Sequence, residues 1–290
     1  MAEFLQFLFS GITVGAAYAL AALGFTLIYN ASNVINFAQG EFIMLGGMLT
    51  VFFLQAGLPM PLAIALAILI PACVGVLIEK LAIEPARNAD VTTLIIITIG
   101  ASLVIRGVVQ VWLGKATHSF PAFSGSEPLY LGGATLLPQS LWVLGVAAVV
   151  VVLLWFFFSR TLAGKAILAT SYNRLAAQLV GINTHWVLFI SFALSGALGA
   201  VGGILLTPIT LTSYDVGIML GLKGFVAAVV GGLGSGLGAV LGGLLVGIVE
   251  AMAAGYISSA YKDAVPFALI LAMLFFLPRG LFGAKQTDRV

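Results

Sequence analysis

The sequence predicts an all-α, polytopic membrane protein, and three observations support that prediction. Of the 290 residues, 61% are hydrophobic and only 8% are charged, whereas a soluble globular chain carries roughly 25% charged residues. The apolar residues gather in runs of about 20, which is the length that crosses a bilayer as a helix. The sequence between the runs is short, so we expect one transmembrane domain over residues 1–290 and no soluble domain.

Nine such runs follow one another along the chain, which predicts about eight or nine transmembrane helices. They lie at about Phe7–Tyr29, Val34–Gln55, Pro61–Ile83, Thr92–Leu113, Pro138–Phe158, Trp186–Pro208, Ser213–Leu233, Gly236–Tyr256 and Ala264–Arg279. The seventh run is the weakest, because Asp215, Lys223 and several glycines interrupt it. It is either a full span or a broken, re-entrant segment.

The basic residues set the expected orientation, because they concentrate on the cytoplasmic side of membrane proteins. One side of the predicted spans holds eight of them: Lys80, Arg87, Arg160, Lys165, Arg174, Arg279, Lys285 and Arg289. The other side holds only Lys115 and Lys262. We therefore expect the N-terminus outside and the C-terminus in the cytoplasm. The start lacks a basic region and a cleavage site, so the first run is interpreted as a retained span.

The segment Ser159–His185 is the longest break between spans with a helical composition. Asn173 is placed to cap a short helix, and Gly181 is placed to end it. A basic helix with apolar residues at a membrane surface either lies in the headgroups or docks into a protein. The small residues Ala176 and Ala177 and the dispersed basic residues favour docking. We expect both alanines to face the partner, and Thr170 to be exposed outside the contact.

The same segment resembles known sequences. Ala176–Gly181 has the A-A-x-x-x-G spacing of the coupling loop of ABC-importer permeases, with Leu175 where Glu is usual. The longer string G-K-A…N…A-A…L-x-G-I-N, from Gly164 to Asn183, is similar to the branched-chain amino acid ABC permease family, LivH-type subunit in particular. Asn36–Glu41 resembles the N-F-A-x-G-E element of that family, and Gly221–Ser235 resembles its G-x-K-A-F…G-G-x-G-S element.

This resemblance implies a type II ABC-importer-like permease in a bacterial inner membrane. Implied partners are a second, M-type permease subunit, two ATPase subunits, a periplasmic solute-binding protein and membrane lipid. ATP would be bound by the ATPase subunits, so no cofactor is expected in this chain. The residues expected to couple this chain to the ATPases are Gly164, Lys165, Asn173, Ala176, Ala177, Gly181, Ile182 and Asn183. Branched-chain or related apolar amino acids are the expected substrates, with urea, amides and other small solutes left open.

Charged residues inside the spans are costly in a bilayer and are usually functional or paired. Glu41 is expected roughly 10 Å from the cytoplasmic end of its span, counting 1.5 Å per residue. By the same count Lys223 and Glu250 fall at similar depth, which predicts an ion pair. These three residues are candidates for the pathway or for a structural ion pair that locks helices. Arg106, near the outer end of its span, is expected to extend towards the interface.

Two glycine-rich stretches suggest an internal repeat. Gly40–Gly47 and Gly236–Gly243 share Gly, Leu and Gly-Gly at the same offsets, and each would open a span that leaves the cytoplasm. Duplicated halves are common in transporters, and these two copies would be parallel. Chance similarity between glycine-rich apolar segments is the alternative.

Other functions lack their residues. There is no phosphate-binding G-x-x-x-x-G-K-[ST] motif, and no His, Asp or Glu cluster has the spacing of metal ligands. A serine hydrolase within the membrane would need a histidine beside its serine, but His118 and His185 both lie outside the predicted spans. We therefore expect no enzyme activity. The net charge of +2 does not suggest nucleic acid. An ion-coupled secondary transporter or channel is the alternative. The outer segment Gly114–Gln139 is either a connector or a docking surface for an extracytoplasmic partner.

Overall fold

A computed structural model describes residues 2–86, 89–125, 127–131 and 133–283 of the chain. Arg87, Lys285 and Arg289, which contribute to the predicted charge asymmetry, lie outside these residues. The helices are α1 (Ala2–Ser32), α2 (Gln39–Gln55), α3 (Met60–Ile78, extended by a π-helical turn, Glu79–Ile83), α4 (Val91–Leu113), α5 (Pro138–Arg160), α6 (Leu162–Tyr172), α7 (Arg174–Leu179), α8 (Thr184–Thr210), α9 (Val216–Gly231), α10 (Gly236–Tyr256) and α11 (Val265–Phe276). Strands β1 (Leu129–Leu131) and β2 (Ala134–Leu136) form an antiparallel hairpin, and a short 3₁₀ helix spans Ser259–Ala264.

Each of the nine predicted runs forms a helix. Seven helical segments of the described chain are long and apolar enough to cross a membrane; α2 and α9, at 17 and 16 residues, are shorter. The nine helices run alternately between two ends of the bundle. One end carries the β-hairpin, which we call the hairpin face, and the other carries α6 and α7, which we call the α6–α7 face. The N-terminal end of α1 lies at the hairpin face, where Gln6 hydrogen-bonds the backbone of Thr135.

The second span begins later than the sequence predicts. Residues 33–38 are not helical and fold back into the bundle, so that α2 starts at Gln39 inside it. The Gln39 amide donates to the Ser195 carbonyl, and the Ser195 hydroxyl also bonds the Gln39 side chain and the Gly24 carbonyl. Non-helical backbone at membrane depth is tolerated only where protein buries it, and Asn36 and Ala38 are fully buried here.

The chain between α8 and α9 repeats this arrangement from the opposite face. α8 ends at Thr210, residues 211–215 fold back, and α9 begins inside the bundle. Two non-glycine residues of the described chain have a positive φ, Asn33 at 56° and Leu211 at 63°. Each follows the last residue of a long helix and begins the return into the bundle. A left-handed residue at both positions marks them as equivalent turns.

Helix packing shows that this repeat is inverted. α1 and α8 are antiparallel, since Gly24 meets Ser195 while Ala17 meets Gly202. α1 packs antiparallel on α10, with Gly15 against Leu244, just as α8 packs antiparallel on α3, with Gly196 against Pro71. The first turns of α2 and α9 contact each other.

Helices α1–α3 therefore correspond to α8–α10 in opposite orientation, and the prediction of a parallel repeat is wrong. The stretch Gly40–Gly47 opens α2, whose counterpart is α9 and not α10. The sequence match misled because close helix contacts require small residues wherever they occur. The spacing of glycines therefore indicates helix contacts, whereas the equivalent turns at Asn33 and Leu211 indicate the inverted repeat.

The core lies along α1, α2, α8 and α10, and the remaining spans surround it. In the most hydrophobic 18-residue stretch of α1, 89% of the residues are buried, whereas the corresponding shares in α4 and α5 are 22% and 17%. The apolar side chains on α4 and α5 point outwards, as expected for surfaces that meet lipid or another membrane subunit. Asp90 caps α4 at its N-terminus, where hydrogen bonds from the Thr93 hydroxyl and amide lower the pKa of the Asp90 carboxyl.

Candidate functional site

The segment at the α6–α7 face folds as two short helices with defined ends. The Thr161 hydroxyl accepts the Gly164 amide and caps α6, and the Asn173 side chain accepts the Ala176 amide at 3.0 Å and caps α7. α7 ends with the Ile182 amide donating to the Ala177 carbonyl and the Gly181 amide donating to Gln178. Gly181 has a φ of +88°, so this end is a Schellman motif. The predicted cap at Asn173 and stop at Gly181 are confirmed.

The eight predicted coupling residues divide between surface and interior. Five are exposed: Lys165, Asn173, Ala176, Gly181 and Asn183. Ile182 is half-buried, and Gly164 is buried with no space for a side chain beside the Phe157 carbonyl. Ala177 is only 3% exposed, so the expectation that it faces a partner is wrong. Thr170, expected to be exposed, is also buried, and its hydroxyl donates to the Ala166 carbonyl.

The outward surface of α6 and α7 is unusually apolar. Six large side chains from α6 to the start of α8 are at least 60% exposed: Leu162, Tyr172, Leu175 and Leu179 on α6 and α7, Val180 just after α7, and Trp186 at the start of α8. Beside them, a groove of about 600 Å³ runs between α6 and the start of α8, with Lys165 among its lining residues. A contiguous exposed apolar surface with a basic rim is typical of a protein or membrane contact site.

A second cluster lies inside the bundle, around the first turn of α2. Glu41 Oε1 accepts the Arg106 Nη2 at 2.7 Å and the Ser102 hydroxyl at 2.7 Å. The Glu41 side chain is 2% exposed and that of Arg106 is 19% exposed. Arg106 therefore turns inward to a carboxylate, contrary to the expectation that it extends to the interface. Ser102 is the twelfth of the 23 residues of α4. Glu41, which bonds it, therefore lies level with the middle of α4 and deeper in the bundle than predicted.

A third cluster surrounds Lys223 on α9. Its Nζ lies 2.7 Å from Glu250 Oε1, which is the pairing that the sequence predicts, and 2.6 Å from Asp263 Oδ1. The Tyr18 hydroxyl donates to Glu250 Oε2 at 3.0 Å. Sequence reasoning did not name Asp263, which precedes the last span, as a partner of Lys223. It also missed Tyr18, whose position among alanines gave no signal. The cluster fastens α1, α9, α10 and the 3₁₀ helix together.

In the described part of the chain, no three His, Cys, Asp or Glu side chains come close enough to hold a metal ion. The polar groups of the bundle instead form ion pairs of opposite charge. They can hold helices together or offer opposite charges to a polar solute.

Known proteins resemble this chain over nearly its full length. The family model described as the branched-chain amino acid transport system / permease component matches residues 7–274. The high-affinity branched-chain amino acid transport system permease protein LivH of Salmonella typhimurium is 34% identical, over 99% of this chain and 98% of that protein. BraD of Pseudomonas aeruginosa, with the same description, is 31% identical over 99% and 98%.

Among solved structures, PsaBC from Streptococcus pneumoniae in complex with Fab covers 96% of this chain and 91% of the matched chain, with 15% identity and a TM-score of 0.48. The family model and the near full-length sequence matches lead to one assignment. The chain is a multi-pass membrane protein that belongs to the permease-component family of branched-chain amino acid transport systems.

Proposed function

We propose that this chain lines half of the translocation pathway of an ATP-driven importer for branched-chain or related apolar amino acids. Family membership supports the permease role, and the names of the LivH and BraD relatives support the substrate class. In this proposal the chain is one transmembrane domain in a bacterial inner membrane. It pairs with a second, M-type permease subunit, and ATP is bound by two separate ATPase subunits.

The observation that carries the proposal is the apolar surface of α6 and α7. Leu175 and Leu179 of α7 are 73% and 88% exposed. A helix of six residues such as α7 is not stable alone, so it needs support from the bundle. Its two caps and the buried Ala177 fix it on the bundle, so that it moves with α6 and α8. A rigid, apolar projection of this kind fits a groove on a partner protein. In this proposal the partner that carries the receiving groove is an ATPase subunit, and the α6–α7 face lies in the cytoplasm.

The hairpin face then lies outside, where it would meet the solute-binding protein. The described part of the segment Gly114–Gln139 contains the β-hairpin and a backbone bridge from His118 to Thr212, which a plain connector would lack. The bridge ties this segment to the turn that follows α8. A binding protein docked here would touch the turn that returns α9 into the bundle.

The first prediction tests coupling with Ala176→Glu. Ala176 is exposed on α7, so a larger side chain there need not displace the bundle, and the chain should fold and insert. Forcing a larger side chain into a packed contact costs roughly 1–3 kcal/mol, which lowers affinity several-fold to about a hundredfold. Co-purification of the ATPase subunits and ATP-dependent leucine uptake in vesicles should both fall.

Ala176→Ser is the matched control, because it stays small, and it should retain both activities. If Ala176→Glu binds ATPase and transports normally, α7 is not the coupling element. The alternative function, an ion-coupled transporter, predicts uptake that survives without ATPase subunits and collapses with an ionophore. The ATP-driven importer predicts the reverse.

A further inference from the structure

A cavity of about 140 Å³ lies where the first turn of α2 meets the first turn of α9. A cavity of about 150 Å³ is large enough for a molecule the size of benzene. Phe25 and Phe37 form an apolar wall, and Glu41 and Arg106 form a charged wall. Helices that start inside a membrane bundle are a common feature of solute sites in transporters.

The charged wall leaves hydrogen-bonding groups without partners. Glu41 Oε1 accepts from both Ser102 and Arg106, whereas Glu41 Oε2 is buried and has no partner in the residues that the structure describes. The Arg106 Nε is likewise buried without an acceptor among those residues. A buried polar atom without a partner costs about 1–3 kcal/mol, and more when it is charged. At Glu250, by contrast, both carboxylate oxygens accept a hydrogen bond.

Gly217 of α9 lines the cavity beside the free oxygen. A Cβ at this position would lie 2.6 Å from the Gly40 carbonyl oxygen and 3.0 Å from Glu41 Oε2, so glycine lets the first turns of α2 and α9 meet beside Glu41. An anionic and a cationic group therefore stand side by side, each with one unused site, next to an aromatic wall. A free α-amino acid with an apolar side chain carries the complementary groups, which are an ammonium, a carboxylate and a hydrocarbon chain.

We propose that this cavity binds the zwitterionic head of an apolar α-amino acid during transport. The ammonium donates to Glu41 Oε2, the carboxylate accepts from Arg106 Nε, and the side chain lies against Phe25 and Phe37. This inference rests on the proposed function and names a binding site for its substrate. Burying a charge is costly unless an opposite charge meets it, and here each charge of the solute meets one.

The cavity has an entrance on the outer surface of the chain. Ile99 on α4 and Ile218 on α9 line it and are 43% and 39% exposed. An apolar surface beside an entrance to a polar site is suited to face the second permease subunit across the pathway. Ile99 and Ile218 thus place the entrance of the cavity on the side that this proposal turns towards the pathway.

The test measures whether leucine protects the entrance from a thiol reagent. The full importer carries Cys73→Ala together with either Ile218→Cys or Ile99→Cys, and it is reconstituted in nanodiscs. A small methanethiosulfonate is added in three states: without nucleotide, with ATP, and with ADP–vanadate trapped in the ATPases. L-Leucine should slow labelling several-fold in at least one state. 4-Methylpentanoate lacks the ammonium and 3-methylbutylamine lacks the carboxylate, so neither should protect. Val104→Cys, which is 66% exposed on α4 and lies outside the cavity lining, should show no protection.

Two variants identify the binding groups. Glu41→Gln should abolish protection by leucine, and Arg106→Lys should weaken it because the charge remains while the Nε donor is lost. Arg106→Lys decides the question if Glu41→Gln does not assemble. Full protection in Arg106→Lys, equal protection by the two analogues, or labelling that leucine never slows would overturn the site. The site would also be overturned if the reagent labelled neither Ile218→Cys nor Ile99→Cys in any of the three states. Leucine uptake measured on the same complexes separates this outcome from failure of the proposed function, which would abolish ATP-dependent uptake itself.

Discussion

At the scale of single residues, the ion pairs inside the bundle join charged groups that are buried to different extents. Lys223 is 7% exposed at its side chain, and it contacts two carboxylates of unequal burial, Glu250 at 10% and Asp263 at 51%. Removing the lysine leaves Glu250 buried without a counter-charge, whereas removing Asp263 leaves the buried pair intact. The two carboxylates should therefore differ in their effect on stability.

We predict that Lys223→Met lowers the free energy of unfolding by about 3–5 kcal/mol, since it strands a buried charge. The double variant Lys223→Met with Glu250→Gln should recover part of that loss, because no charge remains buried. Thermal denaturation in detergent and the yield of assembled importer measure both effects. Asp263→Asn serves as the control and should cost far less. Additive effects of Lys223→Met and Glu250→Gln would show that the two residues are not coupled.

The ion pairs also show what the sequence can predict at this scale. Counting residues along two continuous helices placed Lys223 and Glu250 at the same depth, and they do pair. The same count failed for Glu41, because residues 33–38 are not helical and carry the start of α2 into the bundle. Its partners Ser102 and Arg106 lie on α4, and no spacing within one helix links them to Glu41.

At the scale of helices, close contacts decide the packing, and glycine marks many of them. Gly203 on α8 faces the backbone of α2, where a Cβ would clash with the Ile43 carbonyl. Gly100 on α4 has no neighbouring atom within 4 Å of the position of a Cβ. Both glycines lie inside helices, so their helix propensities are alike and only their surroundings differ.

We predict that Gly203→Ala destabilises the isolated chain by about 1–3 kcal/mol, because it forces α2 and α8 apart. Gly100→Ala should be neutral or should stabilise by about 0.5–1 kcal/mol, since alanine is the better helix former. The comparison requires only melting temperatures of the purified variants. Equal losses in the two variants would mean that glycine acts here through backbone freedom and not through helix contact.

At the same scale, the sequence predicted the helices well and their starts less well. Seven of the predicted runs begin within three residues of a helix, because apolar length is a strong signal. The first run was placed five residues after the start of α1. The start of α2 was wrong by five residues, since a buried non-helical segment is as apolar as the helix that follows it. The ends of α7 were predictable because Asn173 and Gly181 have specific cap preferences. The burial of Ala177 was not, because it depends on how α7 packs on the bundle.

At the scale of the whole molecule, the inverted repeat explains why α2 and α9 meet. Each is the second helix of its half, and each begins after a turn that re-enters the bundle from its own face. Two first turns that approach from opposite sides must meet near the middle, which is where Glu41, Gly217 and Arg106 lie. The glycine match in the sequence could not reveal this, because inverted halves need share only their contacts and their turns.

The last prediction concerns the orientation of the whole chain in the membrane. If the α6–α7 face is cytoplasmic, a cysteine at Glu127 near the β-hairpin should react with an impermeant thiol reagent in intact spheroplasts. A cysteine at Tyr172 at the end of α6 should react only after the membrane is permeabilised. Both residues are exposed, Tyr172 at 88%, so a lack of reaction cannot come from burial.

Cys73 is exposed within α3 and should be replaced by Ala, so that each variant carries one thiol. Positions such as Thr170 are unsuitable because they are buried, and Ser126 and Thr287 lie outside the described residues. Labelling of Tyr172→Cys in intact cells would place α6 and α7 outside, where no ATPase could reach them. The excess of basic residues around the α6–α7 face predicts the opposite, because such residues are retained on the cytoplasmic side.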